Sequence, residues 1–168
     1  VVTMTVSKPE IKLPRLAEVD YGVFLLLNNV DRDHVQKTIA QGHRWEPDVM
    51  ALCEKYAKPT TTVIDIGANM GTFTVRLAQL VGPNGKVIAF EPQRHIYHQL
   101  CGNLFINNLT NVESYNCAVG DRSGTATLSP VNYDFGAPGE VRITGAAGES
   151  VNVMALDSFS LRNVSLIK

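Results

Sequence analysis

The sequence has almost no net charge, no long hydrophobic run and no secretion signal. Its 15 basic and 16 acidic residues give a net charge of −1, which provides no field to attract nucleic-acid phosphates or an anionic membrane surface. The longest apolar run, Val23–Leu27, is far shorter than the ~20 residues of a membrane-spanning helix. The N-terminus lacks the basic and apolar segments of a signal peptide. We therefore expect neither nucleic-acid nor membrane binding.

Cysteines are also few. Cys53, Cys101 and Cys117 lie far apart in the sequence, which fits neither a disulfide framework nor a zinc site. The four histidines have no further ligands at metal-binding spacing, so no metal site is predicted. A reducing, cytoplasmic location is the simplest expectation. With 45% apolar and 18% charged residues, the 168-residue chain is expected to fold as one globular domain.

Hydrophobic periodicity predicts alternating strands and helices from residue 47 onward, after a lead-in at 1–46 that has no clear period. Residues 48–57 predict an amphipathic helix with an apolar face of Val49, Leu52, Cys53 and Tyr56. Next come a strand TTVIDI, a helix at 73–81, a strand KVIAF, a helix at 94–105 and a strand VESYNCAV. This order, with short connections, indicates an α/β fold with a mostly parallel sheet and right-handed crossovers.

The pattern changes at about residue 122. The short alternating runs TATL, EVRIT and VNVM, separated by Gly, Pro and Asn, are typical of antiparallel strands. The apolar segment VSLIK at 164–168 begins a further strand. We therefore predict a lead-in at 1–46 and an α/β domain at 47–168, with an antiparallel excursion at about 122–154.

A glycine-containing turn, DIGANMG, follows the first parallel strand. Ligands bind at this end of the strands in open α/β sheets, and glycines there let the backbone turn sharply beside a ligand. A dinucleotide fingerprint requires glycine at 67, 69 and 72, but the sequence has Gly67, Asn69 and Thr72. The Asp65 carboxylate would repel a pyrophosphate and suits a cationic ligand such as S-adenosylmethionine. An NAD-dependent oxidoreductase is the disfavoured alternative.

Two further segments complete the predicted ligand site. Glu91 ends the second strand, where a carboxylate can accept hydrogen bonds from both ribose hydroxyls of a nucleoside or a dinucleotide. Residues 116–119 end the third predicted strand, where backbone groups and small side chains are placed to flank an adenine ring.

Several ordered blocks resemble the FkbM family of S-adenosylmethionine-dependent methyltransferases: VIDIGANMGTFT, AFEP, NCAVGDRSGTATL, the Phe-Gly of NYDFGAP, and VMALDSF with VSLIK. HRWEPDVMALCEKY is similar to the lead-in of that family. The resemblance implies a Rossmann-like class I methyltransferase fold and O-methylation of a hydroxyl on a small molecule or sugar. It implies a cofactor turn of Asp65, Gly67, Ala68, Asn69 and Gly71, a ribose contact at Glu91, and an adenine flanked by Cys117, Ala118 and Val119.

The resemblance breaks off after LIK, where family members continue into an acidic I-D-V-E-G motif and further strands. We therefore expect the N-terminal, cofactor-binding half of such a fold, with a sheet edge left open at 164–168 for a partner strand, for example in a homodimer. A non-catalytic cofactor-binding fragment is a further alternative. No catalytic residue is assigned, but His43 and Lys168 are candidates for a base, and Glu46 for a substrate contact.

Overall fold

The computed structural model of the chain describes residues 14–28, 30–130, 143–144 and 148–168. The helices are α1 His34–Ala40, α2 Pro47–Tyr56, α3 Thr72–Val81 and α4 Arg94–Ile106. The strands are β1 Arg15–Val19, β2 Gly22–Leu26, β3 Thr62–Ile66, β4 Lys86–Phe90, β5 Val112–Tyr115, β6 Ala118–Gly120, β7 Gly124–Leu128, β8 Ile143–Thr144, β9 Glu149–Ala155 and β10 Val164–Ile167. None of the described helices is long and apolar enough to cross a bilayer.

A four-stranded parallel sheet forms the centre of the fold, in the order β10-β3-β4-β5. Both faces of its inner strands are covered, so β4 buries the apolar run Val87–Phe90 and β3 buries Val63, Ile64 and Asp65. The strand order reverses direction between β3 and β10, and the crevice at such a reversal is where open α/β sheets bind ligands. The prediction of a Rossmann-like α/β fold with a mostly parallel sheet is confirmed.

The predicted third strand, VESYNCAV, is wrong as a single element. It forms two strands, β5 in the parallel sheet and β6, which pairs with β9 in a second sheet. Asn116 lies at the break, and its side-chain amide donates to the carbonyls of Glu91 and Pro92 at 2.9 and 3.0 Å. Because only two residues separate β5 from β6, the sequence pattern did not reveal that the chain leaves the first sheet here.

The second sheet has the order β6-β9-β7-β8. Its β7 strand pairs antiparallel with both β8 and β9, whereas β6 runs parallel to β9. TATL lies in β7 and VNVM in β9. The Phe-Gly of NYDFGAP and most of EVRIT fall outside the described residues.

The lead-in contains a β-hairpin, β1–β2, that periodicity did not predict. Amide side chains of α4 and of its C-cap residue, Asn107, hydrogen-bond the edge of β2 that faces away from β1. Asn103 Oδ1 accepts from Leu25 N at 2.6 Å, and Asn107 both accepts from Val23 N at 3.0 Å and donates to Val23 O at 2.7 Å. Gln99 Nε2 donates to Leu25 O at 2.7 Å. The side chains of one helix thus replace the missing strand partner of β2.

Helix α2 forms where the periodicity predicts it, but of the predicted apolar face it buries only Cys53. Met50 and Cys53 are buried, whereas Val49, Leu52 and Tyr56 are exposed. Glu54, on the side of α2 toward α3, pairs with Arg76 at 2.7 Å. The prediction was wrong because α2 has apolar residues on two sides, and the ion pair and the packed methionine determine which side faces the core.

Candidate functional site

The turn between β3 and α3 consists largely of residues in the left-handed region. Gly67, Asn69 and Gly71 have φ values of 73°, 51° and 94°. The backbone N–H groups of Gly67 and Ala68 both donate to the carbonyl of Phe90 at 2.9 Å. Asn69 tolerates its conformation because its side-chain oxygen accepts from Met70 N at 2.6 Å. These bonds fix the turn against the carboxyl end of β4.

Glycine serves a different purpose at each of the two glycine positions of the turn. A Cβ on Gly71 would lie 2.8 Å from Leu100 Cδ1, so Gly71 allows α3 and α4 to pack closely. A Cβ on Gly67 would meet no atom within 4 Å. Gly67 therefore keeps open space at the strand end, where a ligand can approach the backbone.

Glu91, which directly follows β4, is buried and holds the turn from the other side. Its Oε2 accepts from Asn69 N and its Oε1 from Gln93 N, both at 2.9 Å. Burial raises the pKa of this carboxyl, and the two backbone N–H groups partly oppose that rise. Each carboxylate oxygen has more than one lone pair, so the pair of oxygens can still accept two ligand hydroxyls.

Asp65 is placed differently from what the sequence suggested. Its carboxylate is fully buried, with Oδ2 accepting from Thr74 Oγ1 at 2.6 Å and Oδ1 paired with Lys168 Nζ at 2.9 Å. The expectation that Asp65 itself meets a cationic ligand is therefore corrected. The acid joins the end of β3 to α3 and to the residue after β10, and its charge is compensated within the chain.

A cleft of about 160 Å³ opens beside the turn. It is lined by Ile66, Gly67, Phe90, Pro92, Cys117, Ala118 and Val119. Gly67 and the segment 117–119, which lie far apart in the sequence, thus meet in one cleft, and Glu91 lies between two of its lining residues. Burial raises the pKa of the Cys117 thiol, which therefore stays neutral and is a lining residue rather than a nucleophile.

The remaining candidates divide into two groups. Lys168 belongs to the site because it forms an ion pair with Asp65, and its ammonium lies 4.6 Å from the centre of the Phe73 ring. His43 and Glu46 are exposed, and Glu46 occupies the N-cap of α2 without a capping bond from its side chain. Within the part of the chain that the structure describes, no group of three or more His, Cys, Asp or Glu residues could hold a metal ion.

Sequence reasoning gave no site role to Thr74 and Phe73. Their position in the sequence could have indicated such a role, because both lie in the first turn of the helix that follows the glycine turn. Asn116 was expected beside an adenine ring with residues 117–119, whereas its side-chain amide donates to the carbonyls of Glu91 and Pro92.

The chain matches the family described as the Vibrio cholerae RfbT protein over residues 38–138, more than half of its length. It belongs to this family. The matched region of the RfbT-family chain includes the turn, Glu91 and all residues that line the cleft. The FkbM resemblance is a separate expectation, which this match does not test. No curated protein matches the chain significantly.

Similar solved structures include several methyltransferases. A SAM-dependent methyltransferase from Aquifex aeolicus is 26% identical, with a TM-score of 0.41, over 47% of this chain and 41% of that chain. M. jannaschii TYW2 in complex with AdoMet is 22% identical, with a TM-score of 0.44, over 67% and 45%. An rRNA methylase from Streptococcus thermophilus is 21% identical, with a TM-score of 0.38, over 42% and 41%. The chain spans less than half of the length of each.

Proposed function

We propose that this RfbT-family chain is the cofactor-binding part of an S-adenosylmethionine-dependent methyltransferase. One observation carries the proposal: a buried carboxylate, Glu91, lies between the lining residues Phe90 and Pro92 of an apolar cleft and also holds the glycine turn. The carboxylate oxygens can accept hydrogen bonds from ligand hydroxyls, and the apolar cleft beside them can hold a flat ring. A nucleoside needs both features.

The residues fit the parts of the cofactor. The cleft between Ile66 and Val119 takes the adenine ring, and Glu91 accepts the ribose hydroxyls. The amino-acid end lies at the glycine turn, where Gly67 leaves open space and the first N–H groups of α3 have no partner within the helix. When bound, the cofactor supplies an electrophilic methyl group. The chain orients it and covers the adenine from water.

The acceptor we propose is a hydroxyl on a small molecule or sugar, following the FkbM resemblance. Methyl transfer is an in-line displacement that depends on holding the acceptor oxygen near ~3–3.5 Å from the methyl carbon, together with a base. His43 and Glu46 lie on the exposed surface, so we assign no base among them. An RNA acceptor is the competing possibility, since one similar solved structure is an rRNA methylase, but a net charge of −1 disfavours it.

Calorimetric titration separates the cofactor classes. S-adenosylmethionine and S-adenosylhomocysteine should bind, and NAD should not, because the turn has Asn69 and Thr72 where a dinucleotide fingerprint has glycines. Binding of NAD alone would replace the methyltransferase proposal with the oxidoreductase. Binding of S-adenosylmethionine without turnover across hydroxyl and RNA acceptors would favour the non-catalytic fragment.

Substitution of Glu91 tests the central contact. Glu91→Ala should weaken S-adenosylhomocysteine binding by about 1–3 kcal/mol, because the ribose hydroxyls lose a charged acceptor. Glu113→Ala, which removes an exposed carboxylate of β5 paired with Lys86, is the matched control and should leave the affinity unchanged. Thermal unfolding without ligand shows whether either variant alters the fold. An unchanged affinity in a folded Glu91→Ala variant would refute the assigned role.

We also propose that a second copy of the chain pairs at the outer edge of β10, and that the protein acts in the cytoplasm. The first rests on the position of β10 at the end of the sheet, and the second on the spacing of the cysteines.

A further inference from the structure

The ion pair at the strand reversal has one buried and one partly exposed member. The Asp65 side chain is 0% exposed, whereas that of Lys168 is 22% exposed. Both carboxylate oxygens of Asp65 are already bonded, one to Thr74 and one to Lys168. A ligand that reaches this point therefore meets the ammonium rather than the carboxylate.

The Lys168 ammonium is held in place from several directions. Its Nζ donates to Asp65 Oδ1 at 2.9 Å and lies 4.6 Å from the centre of the Phe73 ring. The backbone of Lys168 bonds β3 on both sides of Asp65. Its N–H donates to Ile64 O at 2.9 Å, and its carbonyl accepts from Ile66 N at 2.8 Å. An ammonium has three donors, and Asp65 takes one of them, so donors remain for an incoming anion.

Lys168 lies at the same end of the sheet as the cleft and the turn, opposite Asp65 on the neighbouring strand, because its backbone bonds both Ile64 and Ile66. Ile66 contributes to the cleft, while the Asp65 and Lys168 side chains lie on the α3 side of the sheet. A ligand that fills the cleft and passes Glu91 can therefore extend across the strand end to Lys168.

We propose that Lys168 binds the α-carboxylate of the amino-acid part of the cofactor, and so selects ligands that carry that carboxylate. This inference rests on the proposed function. It reverses the charge expected from the sequence: the chain recognises the anionic group of the ligand with Lys168, and Asp65 is the positioning residue that orients the ammonium.

The test compares S-adenosylmethionine with decarboxylated S-adenosylmethionine, which lacks only the carboxylate. Calorimetry on the full chain should show that the wild type binds S-adenosylmethionine about tenfold or more tightly than the decarboxylated form, as expected for a hydrogen bond to a charged group. Lys168→Met should remove most of this preference while leaving the affinity for the decarboxylated form nearly unchanged. Lys168→Arg should retain it, and Lys55→Met, on the exposed side of α2, is the charge-matched control.

The outcomes are distinct. If Lys168→Met weakens both ligands by the same factor, Lys168 has only a structural role and the proposal is overturned. If the wild type has no preference for the carboxylate, it is overturned as well. If neither ligand binds the wild type, the proposed function itself fails. Thermal unfolding shows whether Lys168→Met folds. If it does not, Lys168→Arg and Lys168→Gln are compared instead: a preference for the carboxylate that Lys168→Arg keeps and Lys168→Gln loses supports the proposal, and equal preferences overturn it.

Discussion

Gly67 and Gly71 have similar backbone conformations, but substitution should affect them differently. Gly71→Ala should lower the free energy of unfolding by about 2–4 kcal/mol, because it combines a left-handed alanine with overpacking against the buried Leu100. Gly67→Ala should cost only about 1–2 kcal/mol, from the backbone alone. Urea denaturation measures both values.

Cofactor titration completes this comparison. Gly67→Ala should weaken S-adenosylhomocysteine binding beyond its effect on stability, because the new methyl group occupies space that the cleft leaves open. If Gly67→Ala binds the cofactor as tightly as the wild type, Gly67 is required by the turn alone.

The raised pKa of Glu91 predicts that stability and cofactor affinity both depend on pH. Burial raises the pKa of this carboxyl above its ordinary 4.5, so Glu91 takes up a proton at a higher pH in the folded chain than in the unfolded chain. The stability that the folded chain gains from protonation of Glu91 is fully present below pH 4.5. It is lost as the pH rises through the raised pKa of the folded chain. Ribose hydroxyls bind the ionised form, so cofactor affinity should increase over the same interval and then level off.

Calorimetry from about pH 4.5 to pH 8 would show this rise, and Glu91→Gln should flatten it because the amide does not titrate. A wild-type profile that the variant reproduces would mean that another group is responsible.

At the scale of elements, the contact between α4 and the hairpin is polar and partly buried. Asn103 accepts from Leu25 N and donates to Met70 O at 2.8 Å, so it links the hairpin to the glycine turn. Asn103→Ala should lower the free energy of unfolding by about 2–4 kcal/mol, because the partly buried N–H of Leu25 and the buried carbonyl of Met70 lose their partner. Phe105→Ala on the same helix, at an 82% exposed position, should change it by less than about 0.5 kcal/mol. Equal effects of the two substitutions would contradict this view of the contact.

The elements differ in how far the sequence predicts them. The parallel strands and α3 follow from local patterns, because β-branched runs and a glycine turn leave few alternatives. The hairpin was missed because its outer edge is bonded by Asn103 and Asn107, residues that lie 78 and 84 positions further along the chain. The pairing of Asp65 with Lys168 spans 103 positions, and residue spacing carries no information about such a contact.

At the scale of the whole molecule, β10 forms one end of the central sheet. The N–H and carbonyl of Lys168 both bond β3, so by alternation those of Ile167 point to the outer edge, where its side chain is 53% exposed. If copies of the chain pair at this edge, Ile167→Lys should shift sedimentation from dimer to monomer, because a charged edge opposes strand pairing. Phe105→Lys, at another exposed apolar position, is the control. A wild-type chain that sediments as a monomer at high concentration would contradict the proposed homodimer.

The side-chain ladder on α4 also determines what hydrogen exchange would report. The amide hydrogens of Val23 and Leu25 are bonded to asparagine oxygens rather than to a neighbouring strand, so their exchange rates follow the docking of the hairpin on α4. Because Asn103 also bonds Met70 O in the glycine turn, a ligand that rigidifies this turn should slow exchange at Leu25, far along the chain from the ligand itself. Exchange at the hairpin amides would thus report a ligand bound at the glycine turn.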